Sequence, residues 1–400
     1  MKRYVLTLLI ISVAIANALF ARDVVLSTGD PSQVGMDAAI LKAAVHMYET
    51  AVAKDQIRGA VLLVARDGKV ILHEAVGWKD KENGAPIEKD TMFRMASNTK
   101  PVVATGISIL VEEGKLSYND FVRKHITAFD NYRSGAIEIH HLLNHTSGFR
   151  IKEIFLNPLI ERSSVHPHAP NLQIEVERFG HIGVEEPPGT TYSYSNPGYN
   201  TLGALVEVAS GKPLEVFLTD HIYKPLGMVD SYHHEVPGKL EGKLHRMSVV
   251  YREKKDAEWD VKWKPGDPPQ YPFVRASGGM ISTAMDYAIF CQMFLNGGIY
   301  NGKRILKEET ARLMTSARTA SIYTPEERVR RDNYYGYGWN VDREGVFSHG
   351  GSDGTKAWVD PATNLIVLVF TQCPGKRNGS LNTRFLKLVQ ASIDQLENNS

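Results

Sequence analysis

Apolar and polar positions recur along the chain in patterns that predict strands near both ends and helices between them. Residues 36–52 carry apolar side chains at helical spacing. Residues 59–78 form two β-rich runs, and the Arg-Asp-Gly-Lys stretch at 66–69 between them is typical of a hairpin turn. Residues 97–113 predict a helix that ends at Gly114, since glycine commonly follows the last helical turn.

The second half of the chain returns from helices to short β-rich runs and ends in a helix. Helical segments in the middle, such as 199–210, are separated by long polar or proline-containing loops, and two of these look like insertions, near 151–186 and 233–271. The patterns near the C-terminus predict strands over 335–341, 346–349, 356–360 and 365–372, and a last helix over 381–396.

These elements together predict an α/β fold of the α+β type. One antiparallel sheet is built from both termini, residues 22–96 plus 275–400, and is flanked by helices. Residues 97–274 form an inserted, mainly helical lobe. Because ligand sites favour the seam between two such lobes, we expect the functional residues there.

The first residues predict an export signal. Lys2 and Arg3 precede a mainly apolar run, and Ala-Asn-Ala at 16–18 fits a cleavage site after Ala18. The run is shorter than the ~20 residues that cross a bilayer comfortably, which argues against an uncleaved anchor. We therefore expect residues 1–18 to be removed and the mature protein to be periplasmic or secreted, without stable membrane insertion.

Composition narrows the classes of partner. The chain has 400 residues, of which 43% are hydrophobic and 23% charged, as in an ordinary globular protein. Its formal charge of +1 becomes −1 without Lys2 and Arg3, so charge gives no reason to expect a nucleic acid or an anionic membrane as partner. Two cysteines, Cys291 and Cys373, are too few for a disulfide scaffold, and the sequence leaves open whether they pair.

A candidate nucleophile lies in the segment 93–100, Phe-Arg-Met-Ala-Ser-Asn-Thr-Lys. Ser97 stands at a predicted helix start, and Lys100 follows one turn later on the same face. Lys100 can take the proton of Ser97 if burial or neighbours lower its pKa, and free N–H groups at the helix start favour an oxyanion. Alone the pair is a weak signal, because an N-cap serine with a solvated lysine has the same pattern.

Two further segments carry residues suited to acyl chemistry. In Tyr194-Ser195-Asn196, the phenol can pass protons to or from a nucleophile, and the amide can bind a substrate or hold the lysine. The segment 349–352, His-Gly-Gly-Ser, follows a short strand, and its glycines allow a backbone edge to approach a substrate closely. An N–H group there can complete an oxyanion hole with that of Ser97. Each segment alone is also compatible with a simple turn or bulge.

In this order the three segments resemble those of the serine β-lactamase and penicillin-binding-protein superfamily. The branch is that of class C β-lactamases, D-Ala-D-Ala carboxypeptidases and family VIII carboxylesterases, and the likeness extends over about residues 34–372. Supporting segments are Leu-Leu-Asn-His-Thr-Ser-Gly at 142–148, Pro-Leu-Gly-Met at 225–228, Ser-Gly-Gly-Met at 277–280 and Tyr-Gly-Tyr-Gly-Trp at 335–339.

The resemblance implies a β-lactamase-like fold and a set of site residues. Ser97 is then the nucleophile, Lys100 and Tyr194 the proton-transfer pair, and Asn196 a contact to substrate and lysine. The implied substrate-binding residues of the third segment are His349, Gly350, Gly351 and Ser352, with the N–H groups of Ser97 and Ser352 forming the oxyanion hole. No metal or organic cofactor is implied.

The third segment departs from the Lys-Thr-Gly of the β-lactamases. Its hydroxyl is absent, and the histidine at 349 is only partly charged near neutral pH in its ordinary state. A lost charge-assisted contact weakens carboxylate recognition by roughly 1.5–3 kcal/mol. We therefore expect a preference for esters or amides without an obligatory carboxylate, as small-molecule substrates.

Other sequence patterns do not indicate a different catalytic centre. Residues 350–354 fit G-x-S-x-G, but the elbow of α/β-hydrolases needs a helix next and a later histidine, and the chain has neither. The histidine groups at 140–145, 166–168 and 233–234 lack metal-ligand spacing. His145 is expected to shape a turn below the site. Trp259, Trp263 and Tyr271 either pack in the core or wall an acyl or alcohol pocket.

The sequence thus predicts a serine hydrolase that cleaves carboxylic esters or related amides through an acyl-enzyme. The first alternative within the same chemistry is hydrolysis of β-lactams or D-amino-acid peptides. A second alternative is a non-catalytic binding or sensor protein of the penicillin-binding type, which would be expected to lack Ser97, Lys100 or Tyr194.

Overall fold

The computed structural model describes residues 23–149, 169–236, 238–240, 242–254 and 258–397. The predicted export signal and much of the first predicted insertion lie outside these ranges. The helices are α1 (Ala38–Ala53), α2 (Thr99–Glu112), α3 (Ile139–Leu143), α4 (Leu172–Ile182), α5 (Asn196–Ser210), α6 (Leu214–Leu218), α7 (Lys224–Leu226), α8 (Ala284–Leu295), α9 (Glu308–Met314), α10 (Pro325–Arg330) and α11 (Lys376–Glu397).

The strands cluster toward the two ends of the chain, as the hydrophobic pattern predicts. They are β1 (Ser27–Thr28), β2 (Gly59–Arg66), β3 (Lys69–Asp80), β4 (Ala85–Pro86), β5 (Phe93–Arg94), β6 (Tyr232–His233), β7 (Val250–Glu253), β8 (Trp259–Trp263), β9 (Met280–Ser282), β10 (Ile299–Tyr300), β11 (Lys303–Arg304), β12 (Asn333–Tyr335), β13 (Asn340–Asp342), β14 (Phe347–Gly350), β15 (Lys356–Asp360) and β16 (Leu365–Thr371).

One large sheet organises the described part of the chain. Its order is β1-β3-β2-β16-β15-β14-β13-β12, with β4 paired to the end of β3. Every pairing in it is antiparallel except that of β1 with β3. Strands from the two ends of the chain meet where β2 pairs with β16. The prediction of an α+β fold with a sheet built from both termini is confirmed.

The central strands are buried on both faces, because alternate side chains enter two different cores. In β16, Ile366, Leu368 and Phe370 join the core shared with α2, α5 and α8. Leu365, Val367 and Val369 join the core beneath α1 and α11. Because successive side chains of a strand point to opposite faces, the sheet lies between α1 and α11 on one side and the helical lobe on the other.

The hairpin between β2 and β3 has the turn that its sequence predicts. Asp67 and Gly68 both have positive φ, 49° and 77°. This conformation matches the twist of a two-residue hairpin loop and suits aspartate followed by glycine. The turn fixes the register of β2 against β3, which precedes the first candidate site segment.

One predicted strand is wrong. Residues 335–341 do not form a single strand but end β12 and begin β13, with a turn between them. A side chain on Gly336 would lie 2.2 Å from the carbonyl oxygen of Met314, and Gly338 has φ +88°. The two glycines therefore let the backbone turn against α9 while Trp339 enters the core, where it is fully buried.

Smaller sheets connect the helical lobe to the large sheet. In the three-stranded sheet β5-β9-β6, β5 leads directly into the candidate nucleophile. The second predicted insertion, 233–271, contains the hairpin of β7 and β8. No helix among the described residues combines the length and the apolar character that a membrane span requires.

Candidate active site

Ser97 lies in a short 3₁₀ turn, Ala96–Asn98, between β5 and α2. The predicted helix at 97–113 is confirmed apart from this tighter first turn, and Gly114 follows its end with φ +72°. Ala96 has a positive φ of 45°, which is uncommon for a residue with a side chain. This bend places the partly exposed Ser97 at the wall of a cavity.

Lys100 is fully buried on the first turn of α2, directly behind the serine. Its Nζ lies 3.1 Å from Ser97 Oγ, 2.8 Å from Asn196 Oδ1 and 2.8 Å from the carbonyl oxygen of Ser277. Burial lowers the pKa of Lys100 well below its ordinary value, and the nearby guanidinium of Arg275 lowers it further. Burial therefore favours the neutral amine form of Lys100.

The contacts of this amine determine where its lone pair points. A neutral amine has two N–H donors, and the two carbonyl-type oxygens of Asn196 and Ser277 can only accept. The remaining position, toward Ser97 Oγ, is then left to the lone pair, which can accept the serine proton. The geometry thus matches that of a nucleophile and its general base.

Tyr194 completes the proton-transfer group that the sequence predicts. The Nζ of Lys100 lies 4.7 Å from the centre of the Tyr194 ring. Burial raises the pKa of Tyr194 above its ordinary value, although a hydrogen bond with Ser97 opposes this. The phenol is thus kept protonated, which favours Lys100 as the base and leaves Tyr194 with a proton to donate.

Asn196 reaches the site from the N-terminus of α5. Ser195 caps this helix, since its Oγ accepts a hydrogen bond from the N–H of Gly198. The N–H of Ser195 in turn donates to Nδ1 of His145. His145 is fully buried with φ +61° and packs against the Tyr194 ring, at 4.3 Å between ring centres, so it lies beneath the site.

The glycines of the third segment serve the protein's own packing. A side chain on Gly351 would lie 2.3 Å from the carbonyl oxygen of Met95 and 2.4 Å from Thr355 Oγ1. The absence of a side chain therefore lets this segment lie against the backbone two residues before Ser97. Gly350 ends β14, and Ser352 is exposed and lines the same cavity as Ser97. The predicted oxyanion hole stays a prediction.

His349 does not present a charge to the cavity. Within the described residues it is buried outside the cavity lining, and its Nε2 lies 3.0 Å from the hydroxyl of Tyr335. Its Nδ1 lies 2.9 Å from the amide nitrogen of Gly350. Burial lowers its pKa well below the ordinary value, and the nearby ammonium of Lys356 adds to this effect. The expectation of a partly charged histidine is therefore corrected to a neutral ring.

We predict that His349→Lys, which introduces a lysine at this position of the β-lactamase pattern, destabilises the protein by about 3 kcal/mol or more, because a cation there is buried and no carboxylate among the described residues acts on this position. Thermal unfolding followed by circular dichroism measures the change. Glu344→Lys, in the exposed turn before the same strand, is the control and should cost less than about 0.5 kcal/mol. A His349→Lys variant as stable as this control would contradict the neutral, buried assignment.

Several supporting residues were missed at the level of the sequence. The carbonyl of Ser277 accepts a hydrogen bond from the amine of Lys100, and the N–H of Ser277 donates to Asn200 Oδ1. Tyr335 holds the ring of His349. Both residues lie in segments that resemble those of the superfamily. A backbone carbonyl acts independently of its side chain, and a contact between distant residues follows from the fold, so no sequence pattern indicates either role.

The cavity beside Ser97 has a volume of about 540 Å³, which is typical of a small-molecule site. Trp263 and Tyr271 line it, whereas Trp259 is partly buried, packs against the core beneath α1 and α11 and donates its N–H to the carbonyl of Asp55. The G-x-S-x-G match at 350–354 leads into β15 and not into a helix, as the sequence predicts.

Metal binding and disulfide formation are the other chemistries that the described residues bear on. They contain no group of three or more His, Cys, Asp or Glu side chains arranged to hold a metal ion. The histidines at 166 and 168 lie outside the described residues. Cys291 and Cys373 are both buried and unpaired, so in this structure they do not form the disulfide that the sequence leaves open.

Comparison with known proteins shows the family of the chain. The family model described as Beta-lactamase matches residues 44–391. The chain is 27% identical to the esterase EstB of Burkholderia gladioli over 377 residues, covering 86% of this chain and 93% of EstB. It is 26% identical over 395 residues to a putative D-alanyl-D-alanine carboxypeptidase of Salmonella schwarzengrund, covering 88% of this chain and 86% of the relative.

A solved structure supports the fold. EstCE1, described as a hydrolase with promiscuous acyltransferase activity, superposes with a TM-score of 0.72 at 21% sequence identity. The match covers 89% of this chain and 98% of EstCE1. The sheet, the helical lobe and the order of elements are therefore those of a known architecture.

Proposed function

The chain belongs to the beta-lactamase family, whose members include serine hydrolases, and on this premise we propose that it hydrolyses carboxylic esters or related amides through an acyl-enzyme on Ser97. The observation that carries the proposal is the contact between Lys100 Nζ and Ser97 Oγ, 3.1 Å apart, with the amine buried and its other contacts made to oxygens that only accept. A non-catalytic binding protein would have no need of a buried, pKa-lowered lysine behind a serine.

The first half of the proposed reaction forms the acyl-enzyme. The proton of Ser97 moves to the lone pair of Lys100, and Oγ bonds to the carbonyl carbon as the π electrons move to the carbonyl oxygen. The resulting oxyanion lies near the N–H groups of Ser97 and Ser352. When it collapses, the bond to the alcohol or amine breaks, and the leaving group takes a proton from the Tyr194 and Lys100 pair.

The second half releases the acid. Water loses a proton to the same pair and bonds to the acyl carbon, after which the bond to Ser97 Oγ breaks and the serine recovers its proton. Neither half requires a redox step or a metal-bound nucleophile. Each proton that Lys100 and Tyr194 accept is returned, so both residues end the cycle in their starting states.

Two finer aspects belong to the same proposal. We propose that residues 1–18 direct export to the periplasm or medium, which the charged start, the short apolar run and Ala-Asn-Ala at 16–18 support. We also place the chain on the branch shared by class C β-lactamases and family VIII carboxylesterases. Ester preference is supported by the neutral His349, which leaves the third segment without a cation for an obligatory carboxylate.

A serine-directed phosphonate tests the nucleophile. We expect intact mass spectrometry to show one adduct on the wild-type protein and none on Ser97→Ala. Ser352→Ala is the matched control, because this serine lies on the same cavity and stands in the G-x-S-x-G match, and it should be labelled like the wild type. Failure to label the wild type, or equal labelling of Ser97→Ala, would overturn the proposal.

The substrate class is tested by relative kcat/KM values. Short 4-nitrophenyl esters are compared with nitrocefin and with a peptide ending in D-Ala-D-Ala. We expect the esters to be the best substrates. A higher kcat/KM for either of the other two would instead favour β-lactam or D-peptide hydrolysis.

A further inference from the structure

The wall of the cavity beside Ser97 is rich in cations. Arg94, Lys262 and Arg275 all line it, together with Asp353 and Asp267. This composition differs from the apolar acyl or alcohol pocket that aromatic residues in the second insertion suggest at the level of the sequence. The arrangement of these charges decides what kind of group the wall can bind.

Two of the cations share one carboxylate. Asp353 is buried, and its Oδ2 lies 3.1 Å from Arg94 Nε while its Oδ1 lies 3.0 Å from Lys262 Nζ. Two positive charges against one negative charge leave an excess of one at this point of the wall. The pairing also places these charges beside Ser352, the residue that precedes Asp353 and lines the same cavity.

Donor groups remain unused on both cations. Within the described residues, the terminal nitrogens of the Arg94 guanidinium have no hydrogen-bond acceptor, and Lys262 Nζ contacts only Asp353. The guanidinium lies over the Trp263 ring, 4.9 Å from its centre, which holds its plane in one orientation. Such a fixed plane of donors suits the two oxygens of a carboxylate.

The positive excess at Arg94 and Lys262 is local, because the charges of the wall balance when all of them are counted. Arg275 is paired with Glu235, whose Oε1 lies 2.6 Å from Arg275 Nε and which is itself buried behind the wall. Asp267 accepts the N–H of Lys264 at 2.7 Å and keeps its negative charge, but it lies in an exposed turn, where solvent screens that charge. Burial lowers the pKa of His234, which favours its neutral form. The local positive charge at Arg94 and Lys262 is therefore the part of the cavity wall that suits an anionic group of a ligand.

From this arrangement we propose that Arg94 and Lys262 form a subsite for a carboxylate carried by the substrate at a distance from the bond that is cleaved. The inference rests on the proposed ester hydrolysis and specifies its substrate class as anionic esters. It assigns a specificity role to Lys262, in β8 of the second insertion, and to Arg94, the last residue of β5.

Three chromogenic esters of one chain length test the subsite. 4-Nitrophenyl heptanoate is neutral, 4-nitrophenyl hydrogen adipate carries a carboxylate on the acyl group, and 3-carboxy-4-nitrophenyl heptanoate carries it on the leaving group. We expect at least one anionic ester to have a kcat/KM about 10-fold or more above the neutral ester, the scale of one charge-assisted hydrogen bond. Rates are corrected for spontaneous hydrolysis.

Variants of Lys262 show whether this preference arises at the proposed residues. Lys262→Met should lower the ratio of anionic to neutral kcat/KM about fivefold or more, and Lys262→Arg should retain it. Lys264→Met removes the same charge two residues away, outside the cavity lining, and should leave the ratio unchanged. The subsite is refuted if neither anionic ester is preferred, if Lys262→Met keeps the ratio, or if Lys264→Met lowers it equally.

A binding measurement separates failure of the subsite from failure of ester hydrolysis. Ser97→Ala is titrated by calorimetry with the anilides that correspond to the three esters: the mono-(4-nitroanilide) of adipic acid, the 3-carboxy-4-nitroanilide of heptanoic acid and the 4-nitroanilide of heptanoic acid. Tighter binding of either anionic anilide than of the neutral one supports the subsite even if no ester is hydrolysed. Equal or weaker binding of both anionic anilides overturns it even if the neutral ester is a good substrate.

Discussion

Lys100→Met is expected to lower kcat/KM for ester hydrolysis by about 10²–10⁴-fold, the usual contribution of a general base. Methionine retains the length and fills the same buried space, but it has no lone pair suited to take the proton of Ser97. Because Lys100 is fully buried, the substitution removes a desolvated amine and should leave the fold intact. Steady-state kinetics on a 4-nitrophenyl ester, with circular dichroism of the variant, measure both effects.

The pH profile distinguishes a base from a merely structural lysine. The reactive form is the neutral amine, so activity should fall as the pH drops through the pKa of Lys100, which burial places well below the ordinary lysine value. Arg275 lowers this pKa further, so Arg275→Gln should raise it and move the acid limb to higher pH. An Arg275→Gln limb that is unchanged or moves to lower pH would contradict this assignment, as would near wild-type activity of Lys100→Met.

Tyr194→Phe is expected to lower kcat by about 10²-fold or more, because the phenol supplies a proton to the departing oxygen. Burial raises the pKa of Tyr194, so this proton is present across the neutral range. The loss should be larger for an alkyl ester than for a 4-nitrophenyl ester, since 4-nitrophenolate departs without protonation.

Tyr192→Phe is the matched control for the phenol. This residue also packs near Tyr335 and His145, but its hydroxyl makes no contact with Ser97 in the described structure. It should retain activity within about threefold of the wild type for both kinds of ester. Equal losses for Tyr192→Phe and Tyr194→Phe, or the same loss for both kinds of leaving group, would show that Tyr194 acts through packing alone.

The sequence alone determined most of the elements and the candidate nucleophile. Local patterns were sufficient for the β2–β3 hairpin, because Asp67 and Gly68 adopt the positive φ angles of their turn through their own preferences. The continuous apolar run of β16 was sufficient for a strand buried on both faces. The spacing of Ser97 and Lys100, one helical turn apart, placed the two side chains together without knowledge of the rest of the fold.

Tertiary structure decided the electrostatic roles. His349 in the sequence is a titratable residue of ordinary pKa, and only its burial in the folded chain, with Nε2 at the hydroxyl of Tyr335, favours its neutral form. Likewise, nothing local indicates that Lys100 contacts the carbonyl of Ser277, 177 residues away, or that Arg94 and Lys262 share Asp353. Sequence pattern reports local conformation and periodic burial, whereas pKa values and ligand contacts depend on distances between distant segments, which only the folded chain defines.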